Sequence, residues 1–170
     1  MANAFDVIII GAGTGGYPAA IRASQLGLKV AVVERRKTLG GTCLNVGCIP
    51  TKALLEHAHA LKIAQEAKTW GLLFGDQAAR IDMAQVQARK DKTVTILTRG
   101  IESLFKKHGI TWIKGSGRLA GPGAVEVTGD APQTLTAPQI VIATGSYARS
   151  VPGIEIDRAR IITSDEAIAL

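Results

Sequence analysis

Aromatic residues are scarce in this chain of 170 residues: two Trp, two Tyr and three Phe. They cannot make up a core, so Val, Ile, Leu and Ala must fill it. Cysteine is scarcer still, at two, with no second pair to complete a four-ligand zinc site; no metal site is expected. No uninterrupted apolar run approaches the ~20 residues of a membrane span. Met1 to Ala4 lacks the basic segment of a secretory signal, and Phe5 to Ile10 is too short for a signal core. The expectation is a cytoplasmic chain without a membrane partner, where a disulfide is catalytic more often than structural. Although the formal charge is +6, the basic residues are spread out, clustering only at Arg35-Arg36-Lys37, Arg89-Lys90 and Lys106-Lys107. Without interleaved aromatics these do not form a base-stacking surface, so no nucleic-acid partner is expected.

The length suggests about one domain, and glycine, at 19, is abundant and clustered. Phe5 to Ile10 reads as a buried parallel strand. Gly11 to Gly16 punctuates it, Tyr17 to Leu26 is helical, and Lys29 to Glu34 is the next strand. A loop is expected over 35–42, a helix with an irregular beginning over 43–68, and a connection over 70–80. Asp82 is placed to cap a long helix to Lys107, with Met83, Val86, Val94, Leu97, Ile101, Leu104 and Phe105 near helical spacing. Strand 110–114, an antiparallel meander over about 115–137 and a buried strand 139–143 follow. Ser164-Asp165-Glu166 opens a last helix. The fold class is α/β, a parallel sheet with flanking helices and a small meander.

Gly11-Ala12-Gly13-Thr14-Gly15-Gly16 satisfies GxGxxG between strand and helix. The first glycine permits the turn, the second lets backbone approach a pyrophosphate, and the third lets helix and strand pack closely. GxGxxG alone is a weak signal. Here it has a strand before it, a helix after it, and Glu34 at the end of the second strand, where an acid accepts hydrogen bonds from a ribose. Glu34 also disfavours a 2′-phosphate, since two anions would meet. This unit does not separate FAD from NAD.

The cysteines stand in Gly40-Gly41-Thr42-Cys43-Leu44-Asn45-Val46-Gly47-Cys48-Ile49-Pro50-Thr51-Lys52. Five residues apart on a regular helix, their Cα atoms would lie ~8.7 Å apart, beyond the ~4.4–6.8 Å of a disulfide. Bridging therefore requires a break in the helix, for which Gly47 and Pro50 are candidates; the alternative is two thiols that never bond. A helix entrance and Lys52, four residues past Cys48, would favour thiolates. His57, His59 and His108 carry no shared pattern and are expected to be structural or solvent-facing, and Trp70 and Trp112 to pack.

The stretch Gly40 to Leu55 resembles the active-site signature of the pyridine nucleotide–disulfide oxidoreductases. Its wording is closest to the lipoamide dehydrogenase branch; glutathione and mercuric reductases usually carry valine where Leu44 and Ile49 stand, and differ after the proline. The resemblance runs on through Gly115/Gly117 and Ala143-Thr144-Gly145-Ser146. It implies a Rossmann-like FAD-binding domain. Gly11, Gly13 and Gly16 would approach the pyrophosphate, and Glu34 would hold the adenosine ribose. The segment Glu34 to Cys43 would line the cofactor, Arg35, Gly41 and Thr42 within it, with Lys52 near the flavin. Gly117 would face the adenine end, and Thr144, Gly145 and Ser146 would close over the cofactor. Turn geometry is the alternative explanation for Gly115 and Gly117.

The resemblance further implies that Cys43 and Cys48 form a redox disulfide. Reduced lipoamide would attack it at Cys43, Cys48 would lie nearer the flavin, and hydride would pass to NAD⁺. Lipoyl domains of 2-oxo acid dehydrogenase complexes would be partners, and the full-length form a homodimer. The alternatives are an NADPH-dependent enzyme like glutathione or mercuric reductase, or a non-enzymatic FAD-binding redox module. Residues 1–150 are expected to be the FAD-binding domain, and 151–170 the start of a connection to an NAD-binding domain. No second GxGxxG and no terminal His/Glu pair appear, so a partial chain is expected, inactive by itself.

Overall fold

The computed structural model describes residues 4–73 and 78–170. Strand β1 (Val7–Ile10), helix α1 (Gly16–Gln25) and strand β2 (Val30–Glu34) form the first crossover, with β1 and β2 parallel and Val7 opposite Val30. Helices α2 (Gly41–Val46), α3 (Cys48–Gln65) and α4 (Met83–Lys107) follow, and then β3 (Thr111–Lys114). Strands β4 (Ser116–Gly121), β5 (Ala124–Thr128) and β6 (Gln133–Thr136) make an antiparallel meander. β7 (Gln139–Ile142) returns to the main sheet, and α5 (Ser164–Ala167) comes last.

The main sheet has the order β3-β2-β1-β7, all parallel, and the meander the order β4-β5-β6. Strand periodicity of two distributes the apolar run of β1 and β2 between two cores. Val7, Ile9, Val30 and Val32 pack with Ala20 of α1 and Ile101 and Phe105 of α4. Ile8, Ile10, Ala31 and Val33 point the other way, onto Val125, Val127 and Leu135 of the meander. Burial on both faces is why these strands read as unbroken apolar runs rather than alternating ones. The result is three layers: helices, parallel sheet, meander.

Asp82 caps α4 as expected, its Oδ1 accepting from the amides of Ala84 (3.0 Å) and Gln85 (3.2 Å). Gly100 does not interrupt the helix. The stripe that α4 buries differs from the apolar pattern, however. Val86, Ile101 and Phe105 are buried together with Lys90 and Thr98, whereas Met83, Leu97 and Leu104 are exposed. Lys90 is accommodated because its ammonium meets Gln87 Oε1 (2.5 Å), the carbonyl of Ile168 (3.3 Å) and Asp91 (3.1 Å). Thr98 returns its hydroxyl to the carbonyl of Val94 at 3.0 Å. Through Lys90, and through Gln87 to the carbonyls of Ile168 and Leu170, the end of the chain is held on α4. α5 itself opens with a capping box between Thr163 and Glu166.

Two expectations are corrected. β7 is a strand but not a buried one: Ile142 is 63% exposed, because β7 has a neighbour on one side only and little covers its faces. Apolar composition encodes the strand and not its cover. Trp70 is exposed rather than packed, while Trp112 packs against the core beside α4. Of the expected 70–80 connection, residues 74–77 lie outside the described residues. Among the described residues, no helix is long and apolar enough to cross a membrane.

Candidate functional site

The chain builds β1, β2 and β3 in one direction across the sheet, then places β7 on the other side of β1. Such a reversal opens a crevice at the carboxyl ends of the strands. The trough found there is lined by residues following β1 (Gly11, Gly13, Thr14, Gly15), by the last residue of β2 and the two after it (Glu34, Arg35, Arg36), by those following β7 (Ala143, Thr144, Gly145, Ser146, Tyr147), and by Gly41, Thr42 and Cys43 from the start of α2. A second hollow adjoins it. It shares Gly11, Glu34, Arg35, Thr144 and Tyr147, and adds Gly115, Ser116 and Gly117 from the meander side.

The glycines of the turn have different reasons to be glycine. Gly11 sits at φ +100, and a Cβ there would stand 2.3 Å from the carbonyl oxygen of Ala143. On Gly16 it would be 1.9 Å from the carbonyl oxygen of Gly11, so α1 could not start this close to β1. Gly16 therefore lies behind the trough and does not line it. Gly13 has no comparable neighbour: its nearest atom would be the Cα of Gly41 at 3.8 Å, an ordinary contact. Its carbonyl accepts the amides of Gly16 (2.9 Å) and Tyr17 (3.0 Å). No acceptor among the described residues takes the amides of Gly13, Thr14 or Gly15. Unpaired donors at a helix start, facing an open trough, form an anion cradle.

Glu34 is buried and holds the turn in place. Its Oε2 accepts the amide of Ala12 at 2.7 Å and its Oε1 that of Arg36 at 2.8 Å. A carboxylate has about four lone-pair sites, so acceptor capacity remains toward the trough, which Glu34 also lines. Gly117 packs under the sheet, where a Cβ would stand 3.1 Å from Ile10 Cγ2 and 3.2 Å from Val33 Cγ1. Gly115 has a structural reason as well, since a Cβ there would meet the carbonyl oxygen of Thr128 at 2.5 Å.

The two thiols meet across a break. α2 ends at Val46, Gly47 departs from helical geometry (φ −133°, ψ −114°), and α3 begins at Cys48. A Cβ on Gly47 would stand 2.9 Å from the carbonyl oxygen of Thr42. Pro50 does not contribute to the break, since it sits in the first turn of α3, where proline is tolerated. Cys43 is half-buried and Cys48 exposed, both as free thiols. The Cys43 thiol is held above its ordinary pKa, first by its hydrogen bond to Cys48, then by burial and by repulsion from a Cys48 thiolate. The amide of Cys48 and the charge of Lys52 oppose this and are outweighed. The expected lowering by helix entrance and cation is thus corrected for Cys43: the neighbouring sulfur dominates.

The family pattern described as pyridine nucleotide-disulphide oxidoreductase matches residues 5–170. The chain belongs to that family. It is 53% identical over 173 residues to dihydrolipoyl dehydrogenase 3 of Pseudomonas aeruginosa, covering 100% of this chain and 37% of the relative. It is 48% identical over 169 residues to the mitochondrial dihydrolipoyl dehydrogenase of Dictyostelium discoideum, covering 97% of this chain and 34% of that one. It is also 48% identical over 168 residues to a leghemoglobin reductase of Vigna unguiculata, with 97% and 32% covered. The chain thus spans about a third of the length of the curated relatives it matches.

As a pyridine nucleotide-disulphide oxidoreductase, the chain gathers Gly11, Gly13, Glu34, Arg35, Gly41, Thr42, Cys43, Thr144, Gly145 and Ser146 around one trough, with Gly117 in the adjoining hollow. Cys48 and Lys52 do not line it; Lys52 lines a groove between α3 and α4 with Glu56, His57 and Arg89. Tyr147, which sequence reasoning missed, lines both hollows, and the Arg35 guanidinium lies 4.7 Å from its ring centroid. Arg36 falls within the segment Glu34 to Cys43 expected along the cofactor, and Ala143 opens the expected Ala143-Thr144-Gly145-Ser146 strand end. For Tyr147 the only signal was adjacency to Ser146. Of the histidines, His57 bonds the carbonyl of Ala53 at 2.6 Å, His59 is exposed, and the backbone carbonyl of His108 accepts from Ser24 at 2.5 Å; none lines the trough.

Proposed function

We propose that this chain is the FAD-binding, thiol-bearing part of a flavoprotein that oxidises dihydrolipoamide and passes hydride to NAD⁺. The observation that carries the reading is the trough itself, which unpaired amides and Cys43 line together. Gly13 fits FAD at this place: among the described residues no neighbour demands a glycine there, and an occupant approaching the backbone would supply the reason. Gly13, Thr14 and Gly15 would hold the pyrophosphate and Glu34 the adenosine ribose. Gly11 and Gly16 support the turn, and Arg35, Gly41, Thr42, Gly117, Thr144, Gly145 and Ser146 are proposed as the remaining contacts within the two hollows, with Lys52 proposed near the flavin from outside the trough. When bound, the flavin supplies the two-electron exchange between a dithiol and a nicotinamide.

The chain's own chemistry is thiol exchange. In the oxidised form a substrate thiolate attacks Cys43 Sγ, the Cys43–Cys48 bond breaks, and Cys48 leaves as thiolate. The second substrate thiol then displaces Cys43, so the substrate becomes a disulfide and the protein a dithiol. In that dithiol the Cys43 thiol is hydrogen-bonded to Cys48, which holds its pKa above the ordinary value. Residues 1–150 are proposed as the FAD domain and 151–170 as a connection, with NAD⁺ held elsewhere in the parent. Lipoyl domains of 2-oxo acid dehydrogenase complexes, a homodimeric parent and a cytoplasmic site belong to the same proposal.

The test is the complete parent carrying Cys43→Ser or Cys48→Ser. Flavin absorbance should persist while dihydrolipoamide-dependent NADH formation is lost. Absent flavin in the parent, full activity in either variant, or faster turnover of glutathione disulfide or mercuric ion with NADPH would overturn the reading.

A further inference from the structure

Between Glu34 and α2 the chain has no regular structure of its own, yet this segment delivers Thr42 and Cys43 into the trough. A helix of six residues does not persist by itself, and no side chain caps α2, whose N-cap is Gly40 at φ +99. One backbone bond, from the amide of Gly40 to the carbonyl of Ala12 at 2.9 Å, ties it to the glycine turn. Glu34 holds the amide of Arg36 at the start of the segment, and Leu39 and Leu44 are buried in the core; the side-chain hydrogen bonds over residues 38–41 converge on Asn45. Asn45, two residues past Cys43, donates from Nδ2 to the carbonyls of Leu39 (3.0 Å) and Gly41 (2.8 Å), and its Oδ1 accepts from the Thr38 hydroxyl at 2.6 Å.

We propose that Asn45, together with Thr38, is a positioning residue for the reactive thiol: it clamps residues 38–41 against α2 and thereby sets where Cys43 stands between Gly13 and Cys48. Only an amide performs all three bonds, since it has two N–H donors and an oxygen acceptor in one plane. Aspartate keeps the bond from Thr38 but turns both donors into acceptors facing the carbonyls of Leu39 and Gly41. Valine at 38 keeps the shape of threonine and removes the hydroxyl. Leu39, fully buried, anchors the segment in the core, so the displacement permitted by loss of the clamp falls on exposed Thr42 and half-buried Cys43.

The inference rests on reading Cys43 as the thiol that exchanges with substrate. It is tested in the complete flavoprotein with Thr38→Val, Thr38→Ser and Asn45→Asp. Two quantities are read: kcat and KM for dihydrolipoamide, and the ratio of Cys43 to Cys48 alkylation by iodoacetamide in the reduced protein, by mass spectrometry. Thr38→Val and Asn45→Asp should lower kcat about tenfold with KM within about twofold, as displacement of a reacting group does. They should change the alkylation ratio at least about threefold, and Thr38→Ser should restore both. Unchanged kcat and ratio, failure of the serine variant to restore, or losses that only track lost flavin or lowered thermal midpoint would overturn the inference. If the unsubstituted parent does not oxidise dihydrolipoamide, the functional reading fails while the alkylation ratio still reports the clamp.

Discussion

Replacing Gly13 and Gly16 by alanine, one at a time, separates the two reasons for glycine in the turn. At Gly16 the new methyl would lie 1.9 Å from the carbonyl oxygen of Gly11, a backbone atom that moves only if β1 and α1 part. Alanine is favoured over glycine by up to ~1 kcal/mol inside a helix, but overpacking costs ~1–3 kcal/mol. Since the clash involves two backbone segments, the upper half of that range applies, and the net loss is about 2 kcal/mol. At Gly13 the nearest atom is 3.8 Å away and φ is not positive, so stability should change by no more than ~0.5 kcal/mol. The measurement is thermal or urea denaturation of the flavin-free parent, because bound flavin would add stability by mass action. Flavin content of each variant is read separately by absorbance. Gly16→Ala should lower the midpoint; Gly13→Ala should keep the midpoint and lose flavin. A Gly13→Ala protein with full flavin would refute the assignment of that backbone to the pyrophosphate. A Gly16→Ala protein as stable as the parent would refute the close packing.

Glu34→Gln replaces one accepting oxygen by an NH₂ group facing the amide of Ala12 or Arg36, and should cost ~1–3 kcal/mol in the same apoprotein assay; no loss would mean that neither amide depends on the carboxylate. The alkylation rate of Cys43 in the reduced parent should rise with pH at a higher midpoint than in the unfolded chain, and Cys48→Ser should bring that midpoint down, since the Cys48 sulfur is the first cause of the raised value. By linkage, a raised thiol pKa stabilises the fold below the unfolded thiol's pKa, and the contribution is lost as pH rises through the folded value; a midpoint at or below the unfolded one would contradict the hydrogen bond. Lys90→Met should release the end of the chain without disturbing the cores, seen as faster amide exchange over Ile168 and Ala169 and unchanged protection of β1 and β2; unchanged exchange at the chain end would show that Gln87 suffices.

The strand–turn–helix–strand unit was legible because each of its signals is local. The β-branched run, the glycine spacing and the Asp82 cap act within a few residues, and the structure repeats them with shifts of one or two positions. The break between the cysteines was partly legible, since Gly47, one of its two candidates, makes it, while Pro50, the other, sits in a regular first turn. The α4 stripe was only partly legible. Hydrophobic spacing identified the helix, but Lys90 and Thr98 are buried for reasons that reside in Ile168 and in their own backbone.

By itself the sequence determined where backbone bends and where it must come close: Gly11, Gly16, Gly47 and the acid at the end of β2. Those are constraints on φ, ψ and volume, and they act on a residue and its neighbours. The tertiary structure alone decided that odd and even residues of β1 serve different cores, and that Ile142 is left open. It also decided that Tyr147 joins Arg35, that the buried carboxylate of Glu34 grips Ala12 and Arg36, and that Cys43 holds its proton against Cys48. Each of these depends on which segments a crossover brings side by side, and proximity across a sheet leaves no mark in the spacing of a single chain.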